Sequence, residues 1–240
     1  MHLVDGIKAS THLGMMQATR TTCGPFLNIS MFTANGFYNK EWAKKFINFN
    51  ADVLDHLSRA QTIDTVVLSS LFRQYLAGNR ILQSSMHVNT AERGRFFEDS
   101  GNEDLAASAL SETINSIRKL GKKFVLVAPP PSASGVDFGR CFEMKESGKV
   151  YFGSDLPACE ILHSRYLAES KAVRQLIKRV SQESNVDVIR LDEYLCHDGV
   201  CDIEIRRIPI YRDNSHLLVA GSRLLGRRMD LAIKLIAAAR

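Results

Sequence analysis

The sequence predicts an α/β domain built on a parallel sheet, and two observations carry that prediction. Residues 65–68 and 124–128 are apolar without alternation, which is typical of strands that are buried on both faces. These runs alternate along the chain with helical apolar stripes, such as residues 40–60 and 104–120. Because this alternation indicates βαβ units, we expect a single three-layer, flavodoxin-like α/β/α domain over residues 1–240.

The remaining elements follow from local patterns of apolar spacing and from the Gly and Pro residues that mark turns. These patterns predict helices at residues 2–13, 164–182 and 217–238, strands at 15–19 and 186–191, and turns at 21–25 and 35–36. Residues 78–102 and 132–160 are expected to be irregular insertions, and residues 192–216 a loop. In the last helix, Ile233 and Ile236 are expected to face inward.

Composition narrows the possible functions. The 240 residues are 45% hydrophobic, which supports a packed core, and their net charge is +5. Lys and Arg are scattered without interleaved aromatic residues, so nucleic acid is not an expected partner. Arg223, Arg227 and Arg228 fall on a predicted helix and are interpreted as its solvated face. No apolar run approaches the ~18 residues of a spanning helix, and the first residues lack a signal-peptide pattern, so we expect the isolated chain to be soluble.

The strongest functional signal is the segment that runs from Tyr211 to Leu218. It places Asp213 three residues before His216, just ahead of a long apolar helix pattern. An Asp can fix the tautomer of a His ring and stabilise its protonated form, while the His takes a proton from a nucleophile. The motif is short, and a solvated loop pair is the alternative interpretation.

The spacing becomes more specific when the neighbouring residues are included. Tyr211-x-Asp213-x-x-His216-Leu217, followed by Gly221, resembles the last block of the SGNH hydrolases. It is most similar to the SGNH domain that follows the membrane domain of the acyltransferase-3 family, which O-acetylates surface polysaccharides. Leu218 stands where that family usually has Ser. The resemblance covers nearly the whole chain and implies the SGNH fold, no cofactor, and Asp213 and His216 as catalytic residues.

The serine of this family lies in a Gly-Asp-Ser block between the first strand and the first helix, and the match to this chain begins at that helix, near His2. We therefore expect the chain to be a fragment that lacks its first strand and its nucleophile. A degenerate, non-catalytic copy and a substitute serine are the alternatives. The serines considered as substitutes are Ser154, within Gly153-Ser154-Asp155, and Ser69 or Ser70. Each is better interpreted as an ordinary loop residue than as a nucleophile.

The resemblance also implies where a developing oxyanion would be stabilised. By position, the donors or substrate-lining residues are Gly24, Ser70 and Phe72, although the Gly and Asn that are usual in those blocks are not cleanly present.

Five cysteines leave at least one unpaired within the chain. Cys196 and Cys201 could close a small disulfide loop, or the same segment could hold zinc with His197 or Asp198. The resemblance favours the disulfide, because that family's domain faces the periplasm and often carries a Cys pair before its Asp-His block. By the same reasoning Cys141 and Cys159 are expected to pair, which leaves Cys23 free.

Three functions remain open. The first is an acyltransferase or esterase acting on a cell-envelope polysaccharide such as lipopolysaccharide, on the periplasmic side of the inner membrane. Its partners would be an acyl donor, a glycan acceptor and an acyltransferase-3 membrane domain. The second is a non-catalytic module of the same fold that binds a glycan or a partner protein. The third is a metal-dependent hydrolase that uses Asp213, His216 and His197.

Overall fold

The computed structural model of the chain describes residues 3–9, 11, 13–76, 78–84, 95–147 and 159–239. The helices are α1 (Leu3–Ala9), α2 (Lys40–Arg59), α3 (Glu103–Lys119), α4 (Phe138–Ser147), α5 (His163–Glu169), α6 (Lys171–Glu183), α7 (Asp192–Leu195), α8 (Val219–Arg228) and α9 (Leu231–Ala238). The strands are β1 (Ile29–Phe32), β2 (Thr65–Ser69), β3 (Arg80–Ser84), β4 (Phe96–Ser100), β5 (Lys123–Val127), β6 (Ile161–Leu162), β7 (Val188–Ile189), β8 (Cys196–His197), β9 (Val200–Cys201), β10 (Glu204–Ile205) and β11 (Ile208–Pro209). Within these ranges, no helix is long and apolar enough to cross a membrane.

The chain forms two compact units, and each is described by itself. The first, here called the dyad unit, consists of Met1–Gln17, Pro129–Lys171 and Arg190–Ala237. The second, here called the sheet unit, consists of Ala18–Ala128, Ala172–Ile189 and Ala238–Arg240. A single domain over residues 1–240, with its layers stacked in three, stays a prediction.

The sheet unit contains the predicted parallel sheet. Its strand order is β2-β5-β7, with Val67 opposite Val125 and Val127 opposite Ile189. The middle strand, β5, is buried on both faces from Phe124 to Val127, which explains why its sequence shows no alternation. The prediction of a parallel sheet inside an α/β chain is therefore confirmed.

An antiparallel sheet in the same unit was not predicted. Its strand order is β1-β3-β4, so the segment 78–102 holds two strands instead of being wholly irregular. Residues 15–19, which were predicted to form a strand, form none, and the next strand along the chain is β1 at Ile29–Phe32. The local sequence pattern did not predict these strands because their partners are distant in sequence. Strand β4 is largely exposed, and its Glu98 forms ion pairs with Arg80 of β3, at 2.7 Å, and with Lys40.

Helix α2 of the sheet unit confirms the prediction for residues 40–60. It begins after Asn39, whose side chain accepts a hydrogen bond from the Trp42 backbone N–H at 3.0 Å. Its apolar face buries Trp42 and Phe46 against Phe32 of β1 and Leu82 of β3. Local capping and apolar spacing agree here, which is why this helix could be predicted from the sequence.

The dyad unit is richer in short elements than the sequence predicted. Strands β6, β9 and β8 form an antiparallel sheet, and β10 pairs with β11 in a hairpin. Helix α4 lies inside the segment 132–160, and α7 with strands β8 to β11 lies inside the segment 192–216, so neither segment is irregular throughout. Strands of only two residues are too short to leave a periodic pattern in the sequence.

Two predicted helices are interrupted, and one is shorter than predicted. The 164–182 helix ends at Glu169 and restarts at Lys171, and the last helix breaks at Asp230, whose φ is +46°. That break changes the rotational phase of α9, so Ile233 and Ile236 are 64% and 48% exposed instead of facing inward. The first helix covers Leu3–Ala9, and the Gly6 N–H donates to the Ser222 hydroxyl of α8 at 3.1 Å.

Candidate active site

Residues 211–217, here called the Asp-His turn, connect strand β11 to helix α8 of the dyad unit. The turn is closed by backbone pairing: the Arg212 N–H donates to the His216 carbonyl at 2.8 Å, and Tyr211 bridges Leu217 in antiparallel fashion. The Leu218 N–H donates to the Ile210 carbonyl at 2.8 Å just outside it. Tyr211 and Leu217 are each 1% exposed, so the base of the turn is anchored in the core of the unit.

The carboxylate of Asp213 is fixed by the backbone of its own turn. Its Oδ1 accepts hydrogen bonds from the N–H groups of Ser215 at 3.0 Å and His216 at 2.8 Å. This is the local arrangement by which an Asp side chain mimics a backbone turn. The Arg212 guanidinium adds contacts to Oδ2, with its Nη2 at 3.1 Å and its Nε at 3.3 Å.

The ring of His216 meets this carboxylate through one nitrogen. Its Nδ1 lies 2.8 Å from Oδ1 and 2.9 Å from Oδ2 of Asp213. A carboxylate only accepts, so Nδ1 carries the proton in the neutral ring and Nε2 is left as the basic nitrogen. The His216 side chain is 42% exposed, so its ring is not sealed within the core.

These contacts set the charge of the pair. Burial raises the pKa of Asp213, but hydrogen bonds from the Ser215 amide, the His216 ring and amide, and Arg212 outweigh it and lower the pKa to about 2. The carboxylate therefore stays ionised at any physiological pH. An ionised Asp beside Nδ1 orients the ring and stabilises the imidazolium that forms when Nε2 takes a proton.

Both predicted disulfides are present in the dyad unit. Cys141 in α4 is bonded to Cys159, and Cys196 of β8 is bonded to Cys201 of β9. The second bond joins directly opposed residues of an antiparallel pair. The remaining cysteine, Cys23 of the sheet unit, is free. Burial raises the pKa of its thiol to about 12, with Arg20 acting weakly against this, so the thiolate form needed for a nucleophile is disfavoured.

The chain resembles known proteins over most of its length. A family model described as "SGNH domain (fused to AT3 domains)" matches residues 1–230. This chain belongs to that SGNH family. No curated protein sequence matches the chain.

A solved structure shares the SGNH fold of this chain. It is the periplasmic domain of a lipopolysaccharide acetyltransferase from Salmonella ser. Paratyphi A, and it is similar with a TM-score of 0.60 and 16% sequence identity. The match covers 97% of this chain and 78% of the Salmonella domain. At that identity the likeness establishes a common fold.

The three residues predicted to line the oxyanion site lie in the sheet unit of this SGNH chain. The Gly24 N–H already donates to the Tyr75 hydroxyl at 2.8 Å. The Ser70 hydroxyl accepts from the Phe72 N–H at 3.4 Å. Phe72 is buried and has φ +59° and ψ −31°, a backbone conformation that residues with a Cβ rarely adopt. Such conformations cluster at functional sites, but the role of these residues stays a prediction.

Only some of the serines considered as substitute nucleophiles lie within the described residues. His2 and the segment Gly153-Ser154-Asp155 lie outside the described residues. Ser69 is the last residue of β2, and Ser70 follows it. Neither lies in the dyad unit with Asp213 and His216.

The metal-dependent alternative is not supported by the geometry. Within the described residues, no three His, Cys, Asp or Glu side chains are grouped so that they could hold a metal ion. His197 instead lies 3.5 Å from Asp202 through its Nε2, and it does not join Asp213 and His216. The zinc interpretation of the Cys196 segment fails as well, because both of its thiols are in a disulfide.

Arg212 is the site residue that sequence reasoning missed. Its guanidinium contacts the Asp213 carboxylate, although 54% of the side chain is exposed. Its position directly before the Asp was the available signal. The side chains of adjacent residues point to opposite sides of an extended chain. The contact between Arg212 and Asp213 therefore depends on the folded turn and cannot be predicted from their adjacency.

Proposed function

We propose that this chain is the SGNH part of an O-acyltransferase or esterase that moves an acyl group to or from a cell-envelope polysaccharide. Asp213 and His216 are the acid-base pair of a Ser-Asp-His triad. The observation that carries the proposal is the contact of His216 Nδ1 with the Asp213 carboxylate at 2.8 Å, in a turn that leaves Nε2 basic.

The chemistry follows from this geometry. Nε2 of His216 takes the proton of a serine hydroxyl as the serine oxygen attacks the acyl carbon, and the ionised Asp213 stabilises the imidazolium. The proton then passes to the leaving group as the donor ester bond breaks, which gives an acyl-serine. A sugar hydroxyl, or water in an esterase, gives its proton to Nε2 and attacks the acyl carbon. The acyl–serine bond then breaks, and Nε2 returns the proton to the serine oxygen.

The backbone between Ser70 and Phe72 is proposed to donate to the acyl oxygen, where negative charge develops. Gly24 is proposed as a substrate-lining residue, because its amide donates a short bond of 2.8 Å to the Tyr75 hydroxyl, whereas the Phe72 amide makes only a long contact of 3.4 Å with Ser70. Each donor removed from such a site typically costs about 100- to 1000-fold in kcat. This assignment rests on position in the family pattern and on the rare conformation of Phe72.

The substrate class and location rest on the relatives. The family is defined by fusion to AT3 domains, and the similar Salmonella domain belongs to a lipopolysaccharide acetyltransferase and is periplasmic. We therefore propose a periplasmic site, a membrane acyltransferase-3 domain as acyl supplier and a lipopolysaccharide glycan as acceptor. The two disulfides are consistent with an oxidising compartment.

The test is acetyl-ester hydrolysis by the longest chain that the natural coding sequence encodes, including any residues ahead of Met1. Purified wild type is compared with His216→Ala, with p-nitrophenyl acetate as donor and with lipopolysaccharide as added acceptor. We expect the loss of the base to lower kcat by at least about 1000-fold, and the acceptor to gain acetyl groups only with wild type.

His197→Ala is the matched control, because His197 is another part-exposed histidine of the dyad unit with a nearby carboxylate. It should retain wild-type activity. Equal activity of wild type and His216→Ala would overturn the proposal. Saturable lipopolysaccharide binding without turnover, unaffected by His216→Ala, would instead identify the non-catalytic binding module.

A further inference from the structure

Helix α4 touches the Asp-His turn at a place where only glycine fits. A Cβ built on Gly139 would lie 2.3 Å from the Arg212 carbonyl oxygen, whereas real Cβ atoms essentially never approach closer than 3.0 Å. The obstacle is backbone rather than a flexible side chain, so it cannot rotate away. Any larger residue at position 139 must push the helix and the turn apart by roughly 0.7 Å.

Glycine at this position is not explained by the helix itself. Gly139 lies inside α4 and does not have a positive φ. Glycine is the least favourable residue inside a helix apart from proline, so alanine would improve α4 on propensity alone. The close approach to Arg212 is the structural feature that requires the smaller residue.

The residue just before the turn is held from a second side, by helix α8. Gly221 of α8 approaches Ile210 just as closely, since a Cβ there would lie 2.5 Å from the Ile210 Cα. The turn between these two helices is closed by its own bonds, including Arg212 N–H to the His216 carbonyl. Because of these bonds, we expect a displacement at Arg212 to carry Asp213 and His216 with it without separating them.

Helix α4 is itself well anchored. Asp137 precedes it, and its carboxylate accepts from the Arg140 N–H at 3.1 Å. Phe138 is buried and its ring centre lies 5.1 Å from that of Tyr211, which begins the Asp-His turn. The Cys141–Cys159 disulfide fixes the helix two residues beyond Gly139. A rigid helix is a suitable reference surface for a catalytic turn.

We propose that Gly139 is a positioning residue, which sets how far the Asp-His turn projects from helix α4 and so where Nε2 of His216 stands. The proposal rests on the function proposed above, because the position of Nε2 matters only if that nitrogen takes a proton from a nucleophile. Misplacement of a reacting group by about 1 Å can cost about 100-fold in rate.

Gly139→Ala tests this with two readouts on the full natural chain. In ¹⁵N–¹H correlation spectra, the amide resonances of residues 211–217 should shift together, while the ring Nδ1 of His216 keeps the wild-type signature of its bond to Asp213. In ester hydrolysis, kcat per folded molecule should fall on the order of 10- to 100-fold at unchanged KM. The folded fraction is taken from the intensity of native resonances.

Gly14→Ala is the matched control, because a Cβ there meets nothing within 4 Å. It should move neither the turn resonances nor kcat. If Gly139→Ala does not fold, Phe138→Leu replaces it, since it removes the ring contact with Tyr211 without adding a clash and should shift the same resonances.

Turn resonances that stay at wild-type positions in the folded variant, or that move equally in Gly14→Ala, would overturn the inference. Loss of the Nδ1 signature would also overturn it, because the turn would then deform rather than move. The resonances decide the matter even where wild type hydrolyses no ester, so a failure of the proposed function remains distinguishable from a failure of this inference.

Discussion

The Asp-His turn and the Ser70–Phe72 segment are built in different ways. In the turn, an ionised carboxylate accepts two backbone N–H bonds of 2.8 and 3.0 Å, and no residue from 211 to 217 has a positive φ. In the segment, a neutral hydroxyl accepts one backbone bond of 3.4 Å, and Phe72 has φ +59°. The turn is stabilised by short contacts within seven residues. The segment keeps an unfavourable backbone because the Phe72 ring is fully buried.

Asp213→Asn should cause the largest loss of activity among these changes. The amide cannot carry the charge that stabilises the imidazolium, and it can present an N–H to the ring and so invert the tautomer. We expect kcat for ester hydrolysis to fall on the order of 1000- to 10,000-fold with the fold retained. Steady-state kinetics and far-UV circular dichroism measure the two quantities.

The control is Asp202→Asn, since Asp202 is an aspartate near a histidine of the same unit but outside the turn. It should leave kcat within about twofold of wild type. A loss of less than tenfold in Asp213→Asn would mean that this carboxylate does not support the base.

Phe72→Ala should instead affect stability. Removal of a fully buried phenyl ring typically costs about 3 to 5 kcal/mol in the free energy of unfolding. Urea denaturation followed by tryptophan fluorescence would measure this through Trp42 of the same unit. Phe97, which is 52% exposed, provides the comparison, and its change to Ala should cost less than about 0.5 kcal/mol. Equal effects of the two changes would refute the claim that burial of this ring holds the segment.

The turn should also show a distinct dependence of stability on pH. The pKa of Asp213 is lowered to about 2 in the folded chain from its ordinary 3.8. Its stabilising contribution is therefore present above pH 3.8 and is lost as the pH falls through about 2. The difference in Tm between wild type and Asp213→Asn should be constant above pH 5 and shrink between pH 4 and pH 2.

Asn214→Ala, an exposed change in the same turn, should differ from wild type by a pH-independent amount. A Tm difference for Asp213→Asn that stays the same from pH 5 to pH 2 would show that the folded turn does not favour the ionised carboxylate.

Ser70→Ala should give the smallest effect of the series. Its hydroxyl makes long contacts with the Phe72 N–H and the Gln74 amide, both at 3.4 Å. Loss of such bonds typically costs about 1 kcal/mol. A cost above about 3 kcal/mol in urea denaturation would mean that the hydroxyl, rather than the Phe72 ring, holds the segment.

The same contrast explains which features the sequence could predict. Helix α2 has a cap at Asn39 and an apolar face within twenty residues, and the Asp213–His216 contact spans three. Both could be predicted because the interacting groups are close in sequence. The disulfides and the parallel sheet were also predicted, the first from the family resemblance and the second from unbroken apolar runs.

Features that depend on distant partners could not be predicted. Strand β4 is mostly exposed and exists through its pairing with β3, whose partner β1 lies some fifty residues earlier in the chain. The approach of Gly139 to Arg212 joins residues more than seventy positions apart. The helix break at Asp230 has no strong signal in the sequence, since Asp is neither Gly nor Pro. Because this break was not predicted, Ile233 was wrongly predicted to face inward.

The central claim is that His216, supported by Asp213, activates a serine. A fluorophosphonate probe tests it directly, because it bonds covalently to a serine whose proton is being removed by a base. On the full natural chain, we predict stoichiometric labelling of wild type and of His197→Ala, with labelling on the order of 1000-fold slower in His216→Ala. Peptide mapping would identify the labelled serine. Labelling of His216→Ala at the wild-type rate would contradict the account.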